Sequence, residues 1–151
     1  MIVRHATPED LDALAPLFDG YRVFYGYPSD LPVARAYIAA RMAGGDSTVL
    51  VAADSNEQSA PLLGFTQLYP TWCSLELAPI FVVYDLFVSP AGRGRGVARA
   101  LMESAREFGA SAGAARIELA TAHTNIPAQR LYEGLGWVLD TEYRHYELPL
   151  R

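Results

Sequence analysis

The residues best suited to chemistry form a short stretch rich in glycine and arginine. Gly92, Gly94 and Gly96 alternate with Arg93 and Arg95. Glycine permits left-handed backbone angles and lets a ligand approach the main chain closely. Arginine adds a permanent charge and bidentate hydrogen bonds suited to phosphate. The stretch therefore predicts a phosphate-binding loop, with a ligand-free Arg/Gly turn as the alternative.

The flanking segments place this loop between a strand and a helix. The apolar run from Pro79 to Val88 predicts a buried strand, which Ser89-Pro90 ends. Apolar residues then recur at helical spacing and predict a helix to about Ala112: Val97, Leu101, Ala105 and Phe108. The first N–H groups of a helix and its dipole attract an anion, so this arrangement supports the phosphate interpretation.

Two common phosphate-binding motifs are excluded. A dinucleotide-binding loop needs the pattern G-x-G-x-x-G, but Val97 or Arg99 stands where its third glycine belongs. A P-loop needs a lysine, and all 12 basic residues of this chain are arginine.

The composition of the chain limits the classes of function that it could have. The chain has 151 residues, 51% of them hydrophobic, and a net charge of −5, which argues against a nucleic-acid partner. The single Cys73 excludes an internal disulfide, and His5, His123 and His145 form no short metal motif. Without a leader or an apolar run near 18 residues, we expect a cytoplasmic protein with no membrane contact.

The remaining pattern predicts one α/β domain over residues 1–151. The expected order is β-α-α-β-β-β-α-β-α-β-β, with a mixed sheet covered by helices on both faces. Ser29-Asp30 is expected to cap the second helix, Gly44-Gly45 to end it, and Gly64 to mark a bulge. The segment from Trp137 to Leu150 predicts the last two strands.

Two motifs resemble those of a known family. Arg93-x-x-Gly96-x-Ala98 resembles motif A of the GNAT superfamily of acetyl-CoA-dependent N-acetyltransferases, which reads Gln/Arg-x-x-Gly-x-Gly/Ala. Downstream, the segment from Asn125 to Trp137 is similar to the family block Asn-x-x-Ala-x-x-Leu-Tyr-x-x-x-Gly-Phe/Trp. The resemblance implies the GNAT fold, with a mixed and mostly antiparallel sheet.

The resemblance also implies that acetyl-CoA is the co-substrate and that no metal is needed. Main-chain N–H groups of the loop would hold the CoA pyrophosphate: Arg93, Gly94, Arg95, Gly96, Val97, Ala98 and Arg99. Phe87 and Val88 would pair through their main chain with the pantetheine arm. Asn125 would contact pantetheine, cap its helix, or do both, and Ala128 belongs to the same motif.

Two residues are the candidates for proton transfer. Tyr132 matches the tyrosine that would protonate the leaving thiolate, although it could instead merely pack against the sheet. Asp85, on the strand before the loop, is the candidate base, because an amine must lose its proton before it can attack. A purely structural carboxylate is the alternative for Asp85, and Glu118 is a weaker candidate base acting through water.

An aromatic stretch between the first two helices predicts one wall of the acceptor site. Tyr25 and Tyr27, with Tyr84 across the pocket, would present ring faces to a cationic amine. Phe24 is expected to pack in the core instead.

The sequence therefore predicts direct transfer of acetyl to a primary amine within a ternary complex. A polyamine, a small amine or a lysine-bearing peptide would be the acceptor, and the polyamine- and histone-acetylating branch is the nearest resemblance. A sensor that binds acyl-CoA with little catalysis is the alternative. The apolar run from Leu77 to Val88 could form a subunit contact, and enzymes of the family it resembles are often dimers, so we expect a homodimer.

Overall fold

The computed structural model describes residues 1–57 and 60–151. This part of the chain contains five strands and four α-helices. It also contains two short 3-10 helices, Pro8–Asp10 before the first α-helix and Pro90–Gly92 after the fourth strand. In chain order the elements are β1 (Ile2–His5), α1 (Leu11–Phe24), α2 (Leu31–Gly44), β2 (Thr48–Ala53), β3 (Leu62–Cys73), β4 (Ala78–Val88), α3 (Val97–Ser111), β5 (Ile117–Leu119) and α4 (Ile126–Gly134).

The contacts divide the chain into two compact units. Met1–Ala120 contains the sheet and the first three helices, and Thr121–Arg151 contains α4. The expectation of a single domain over residues 1–151 stays a prediction.

The sheet of the first unit confirms the predicted fold class. Its strands lie in the order β1-β2-β3-β4-β5. The first three pairings are antiparallel and only β4 with β5 is parallel. A parallel pair needs a crossover connection, and α3 lies in that connection.

Apolar stripes on the helices explain how the sheet is covered. On one face, Leu14 and Phe18 of α1 and Ile38 of α2 pack with Val51 and Phe65 of the sheet. The helix α3, with its own buried stripe, packs against β2, β3 and β4. None of the helices in residues 1–57 and 60–151 is long and apolar enough to cross a membrane.

Local signals set the ends of α2 as predicted. The carboxylate of Asp30 accepts the N–H of Val33 at 3.1 Å, and Gly45 ends the helix with a φ of 62°. The register between β2 and β3 shifts where Ala52 opposes Gly64 and Ala53 opposes Leu62, so a bulge lies next to the predicted Gly64, with Leu63 as the extra residue.

The two strands predicted between Trp137 and Leu150 are wrong. After α4, residues 135–151 form neither helix nor strand. Alternation of apolar residues favours an extended segment, but a strand forms only where a neighbouring strand accepts its backbone hydrogen bonds.

Candidate active site

The glycine loop is fastened to the sheet at its first residues. The N–H of Ser89 donates to the carbonyl of Leu63 in β3 at 2.9 Å. A Cβ at position 92 would lie only 2.6 Å from that same carbonyl oxygen, so Gly92 is required by close backbone packing. The anchor fixes where the exposed part of the loop begins.

The following residues form an open cradle at the beginning of α3. Gly94 and Gly96 have φ angles of 71° and 77°, and nothing lies within 4 Å of where their Cβ atoms would be. Gly96 is the N-cap of α3, and no side chain caps that end of the helix. Residues 93–96 are exposed. An uncapped helix end beside open space fits a phosphate group, so the residues present are compatible with CoA.

Beside this loop, β4 has a stretch that β5 does not pair. The parallel pairing covers only Phe81, Val82 and Val83. Phe87 and Val88 lie beyond it, on the part of β4 that leads into the loop. The side chain of Phe87 packs against the apolar core, which leaves its main chain as the group suited to a ligand.

A bulge in β4 places two successive side chains in different environments. Gln67 of β3 opposes Asp85, but the next residue, Leu68, opposes Val83, so Tyr84 is the extra residue. The side chain of Tyr84 is therefore exposed, whereas Asp85 is buried at 5% exposure.

Asp85 is a buried carboxylate held by neutral groups. Its Oδ2 accepts the Nε2–H of Gln67 at 2.5 Å, and its main-chain carbonyl accepts the hydroxyl of Thr66 at 2.8 Å. Burial raises the pKa of Asp85 above its ordinary value, and hydrogen bonds from Gln67 and Tyr21 oppose that rise. The same Tyr21 hydroxyl, which has a single hydrogen, lies 2.9 Å from the carbonyl of Tyr84, a second acceptor within its reach. A carboxyl group with a raised pKa suits a general base.

Tyrosines surround this carboxylate. The rings of Tyr69 and Tyr84 are 5.4 Å apart, and the hydroxyls of Tyr69 and Tyr37 are 2.7 Å apart. The pKa of Tyr69 is raised, mainly by burial and then by the hydrogen bond with Tyr37. Tyr84, which precedes Asp85 in the chain, thus contacts Tyr69, and Tyr69 in turn pairs with Tyr37, which sequence reasoning missed.

Gln67 was also missed, although the sequence carried a signal for it. It is a fully buried polar residue within the apolar run of β3. Its partner Asp85 is 18 positions away, and no local pattern predicts which residue of another strand it opposes.

The other predicted acceptor-site residues differ in their surroundings. The ring of Tyr25 lies 5.1 Å from that of Tyr21, which connects it to the Asp85 surroundings. Tyr27 is exposed, and the guanidinium carbon of Arg22 lies over its ring, 5.8 Å from the ring centroid. Phe24 is 60% exposed, so its predicted place in the core is wrong: it is the last residue of α1, and its ring lies 5.1 Å from that of Tyr25.

Glu118, the alternative base, lies in a different environment. It is part of β5, its side chain is 41% exposed, and it accepts the Nε–H of Arg116 at 2.6 Å. Across residues 1–57 and 60–151, no three His, Cys, Asp or Glu side chains are grouped to hold a metal ion.

In the second unit, α4 presents the downstream motif. The side-chain oxygen of Asn125 accepts the N–H of Ala128 at 3.4 Å, so Asn125 does cap the helix as one of its two expected roles. The ring of Tyr132 lies 6.0 Å from that of Trp137. The main-chain N–H of Trp137 donates to the main-chain carbonyl of Tyr132 at 3.0 Å. The cofactor role of Asn125 and the acid role of Tyr132 stay predictions.

Comparisons with known proteins agree with these features. The model of the acetyltransferase (GNAT) family matches residues 14–137. Over 146 residues the chain is 40% identical to YhfO, an uncharacterized N-acetyltransferase of Bacillus subtilis (strain 168), covering 97% of this chain and 95% of the relative. A crystal structure of a probable acetyltransferase superposes with a TM-score of 0.93 at 36% identity, covering 100% of this chain and 99% of the other.

A shorter match extends to an enzyme with a named acceptor. Streptothricin acetyltransferase of Escherichia coli is 34% identical over 94 residues, which cover 57% of this chain and 51% of that enzyme. The match of the family model to most of the chain, together with the long similarity to YhfO, establishes the family. The chain belongs to the GNAT family and is an acetyltransferase, from a family whose co-substrate is acetyl-CoA and whose acceptors are amines.

Proposed function

We propose that this protein transfers acetyl from acetyl-CoA to the neutral form of a primary amine, directly and within a ternary complex. The observation that carries the proposal is the buried carboxylate of Asp85. It lies on β4, three residues before Val88 and seven before the glycine loop begins at Gly92.

The loop residues supply the proposed cofactor site. Main-chain N–H groups between Arg93 and Arg99 would hold the pyrophosphate, because Gly94 and Gly96 leave the space beside the helix end open. The main chain of Phe87 and Val88 would pair with pantetheine along the stretch of β4 that β5 leaves unpaired. By resemblance, Asn125 and Ala128 are proposed to contact the cofactor.

Proton transfers by the chain's own residues would accompany the reaction. Acetyl-CoA supplies the acetyl group as a thioester. The carboxylate of Asp85 would take a proton from the ammonium acceptor, which frees the lone pair that forms the new C–N bond. The main-chain N–H near Val88 would polarise the thioester carbonyl. As the C–S bond breaks, the hydroxyl of Tyr132 would give its proton to the thiolate.

The acceptor site is proposed to favour an amine whose cationic form contacts aromatic rings. Tyr84 and Tyr25 are exposed beside Asp85 and Tyr21, and ring faces attract an ammonium group. Tyr27 would contribute to the same wall. Polyamines, small amines and lysine-bearing peptides fit this description, and the partial match to streptothricin acetyltransferase adds an antibiotic amine to the candidates.

The whole-chain proposals are a single domain, a homodimer and a cytoplasmic location. The end of the β3–β4 hairpin supports the homodimer, since Trp72 near the end of β3 and Leu75 and Leu77 in the turn are 74%, 92% and 88% exposed. Large apolar residues grouped on a surface are typical of protein contacts. Sedimentation at several concentrations would measure the association.

The test is release of CoA thiol from acetyl-CoA across a panel of polyamines, amino acids, streptothricin and a basic peptide. We expect one class to be acetylated, and Tyr132→Phe to lower kcat by about 10²-fold with little change in acetyl-CoA binding. Tyr143→Phe, in the same unit, is the matched control and should keep full activity. Tight acetyl-CoA binding with no acceptor would favour the sensor function, and equal turnover in the Tyr132 variant would remove its acid role.

A further inference from the structure

We propose that Gln67, itself held by Ser47, is a positioning residue that fixes the carboxylate of Asp85 toward the acceptor amine. The inference rests on the proposed function, because it concerns the base of that reaction. Neither residue belongs to the motifs of the glycine loop or of α4.

A chain of two hydrogen bonds carries the inference. The hydroxyl of Ser47 donates to Oε1 of Gln67 at 2.8 Å, and Nε2 of Gln67 donates to Oδ2 of Asp85 at 2.5 Å. A carboxamide has an acceptor at one end and donors at the other. By occupying the acceptor end, Ser47 determines that the NH₂ group faces Asp85.

The position of Gln67 makes a purely packing role a poor explanation. The residue is completely buried, and two positions earlier the fully apolar Phe65 occupies the same face of β3. A buried amide is unfavourable unless both of its ends are hydrogen-bonded, whereas an apolar side chain would have no such need. Both ends are satisfied here, and one of the partners is the candidate base.

The consequence for the reaction is a base held in one orientation, with a donor that favours its ionised form against the effect of burial. A donor that approaches the carboxylate favours the charged state over the protonated one. The titratable and charged groups around Asp85 are tyrosines of α1, β3 and β4, with a further tyrosine and an arginine of α2 behind Tyr69: Tyr21, Tyr69, Tyr84, Tyr37 and Arg41. An ordinary tyrosine titrates near ~10, so a change well below that pH would report on the carboxylate.

Thr66 provides a matched control. It is the neighbour of Gln67, it is also completely buried, and it also donates a hydrogen bond to Asp85. Its acceptor, however, is the main-chain carbonyl of Asp85 and not the carboxylate. Thr66→Val therefore removes a buried hydrogen bond to the same residue without touching the titrating group.

The experiment compares Gln67→Met, Ser47→Ala, Ser47→Thr and Thr66→Val in the full chain. Two quantities are measured: the pH titration of the Asp85 carboxyl carbon by NMR without substrates, assigned with Asp85→Asn, and the pH dependence of kcat/KM. In Gln67→Met we expect both titrations to move to higher pH by about one unit. Ser47→Ala should show a smaller shift in the same direction, while Ser47→Thr and Thr66→Val should keep the wild-type titrations.

The outcomes separate this inference from the proposed function. Parallel shifts of the NMR titration and of kcat/KM, with activity recovered at high pH, support the positioning role. An unchanged NMR titration in Gln67→Met and Ser47→Ala overturns it, whatever the enzyme does. A shifted NMR titration with an unmoved kcat/KM profile shows that Asp85 is not the base, which overturns the base assignment and the positioning role with it. If Gln67→Met does not fold, Ser47→Ala carries the same test.

Discussion

At the scale of single residues, Asp85 combines a functional advantage with a cost in stability. The carboxyl group is buried and, within the described residues, forms no ion pair. Hydrogen bonds from neutral donors compensate only part of the lost hydration of a carboxylate. The pKa of Asp85 is accordingly raised, with burial as the largest cause. A residue kept in place despite such a cost is a good candidate for function.

Asp85→Asn should therefore lower activity and raise stability at the same time. Because the folded-state pKa is raised, the contribution of Asp85 to stability is complete below the ordinary pKa, near ~3.9, and is lost as the pH rises through the folded-state pKa. The asparagine variant avoids that loss and still accepts the bond from Gln67. We expect kcat to fall by about 10²–10⁴-fold and the melting temperature at pH 8 to rise by about 3 °C.

The measurement is thermal unfolding of both proteins between pH 4 and pH 8, beside the acetylation assay. The two melting temperatures should converge as the pH falls below the raised pKa of Asp85, because the wild-type carboxyl is then protonated. Asp12→Asn, which removes an exposed carboxylate paired with Arg35, serves as the control and should change little. A variant that is less stable than the wild type at pH 8 would contradict the expected cost of the buried charge.

At the scale of elements, the sequence predicted what local patterns determine. The glycine loop, the beginning of α3 at Val97 and the caps of α2 follow from neighbouring residues, and they were found where expected. The bulge at Tyr84, and with it the meeting of Gln67 and Asp85, depends on the register of two strands. Register is a non-local property, which also explains why the two strands after α4 were wrongly predicted.

The two ends of α3 offer a direct test of the phosphate cradle. Gly96 before the helix and Gly113 after it have φ angles of 77° and 71°, and both face open space. Alanine at either position is strained by about 1–2 kcal/mol, so both variants should lose similar stability. Only Gly96→Ala should also raise the Kd for acetyl-CoA, by about tenfold, because it adds a Cβ where the phosphate is proposed to bind. Calorimetric titration with acetyl-CoA measures the difference, and equal affinities in the two variants would place the pyrophosphate elsewhere.

At the scale of the whole molecule, ion pairs are numerous but differ in burial and therefore in how much they stabilise the fold. All 12 basic residues are arginine, and many of them pair with exposed carboxylates. Exposed ion pairs of this kind contribute little to stability. The pair of Arg4 and Asp10 differs, since the Asp10 side chain is only 2% exposed. Both carboxylate oxygens accept from Arg4, at 2.6 and 2.8 Å, and Oδ2 also accepts the N–H of Thr7. This pair fastens β1 to the beginning of α1.

Asp10→Asn should destabilise the protein by about 2 kcal/mol at neutral pH, because a neutral amide cannot replace the bidentate, charge-assisted pair. The hydrogen bond from Arg4 is the main cause that lowers the pKa of Asp10. Its stabilising contribution is therefore present above the ordinary pKa of an aspartate and is lost as the pH falls through the folded-state value. Urea unfolding at pH 7 and near pH 3 measures both parts, with Asp12→Asn as the exposed control. The deficit of the Asp10 variant should shrink at low pH, so that variant gains stability relative to the wild type as the pH falls, whereas Asp85→Asn loses its advantage over the wild type as the pH falls. A deficit that is unchanged at pH 3 would assign the effect to packing and not to the charge on Asp10.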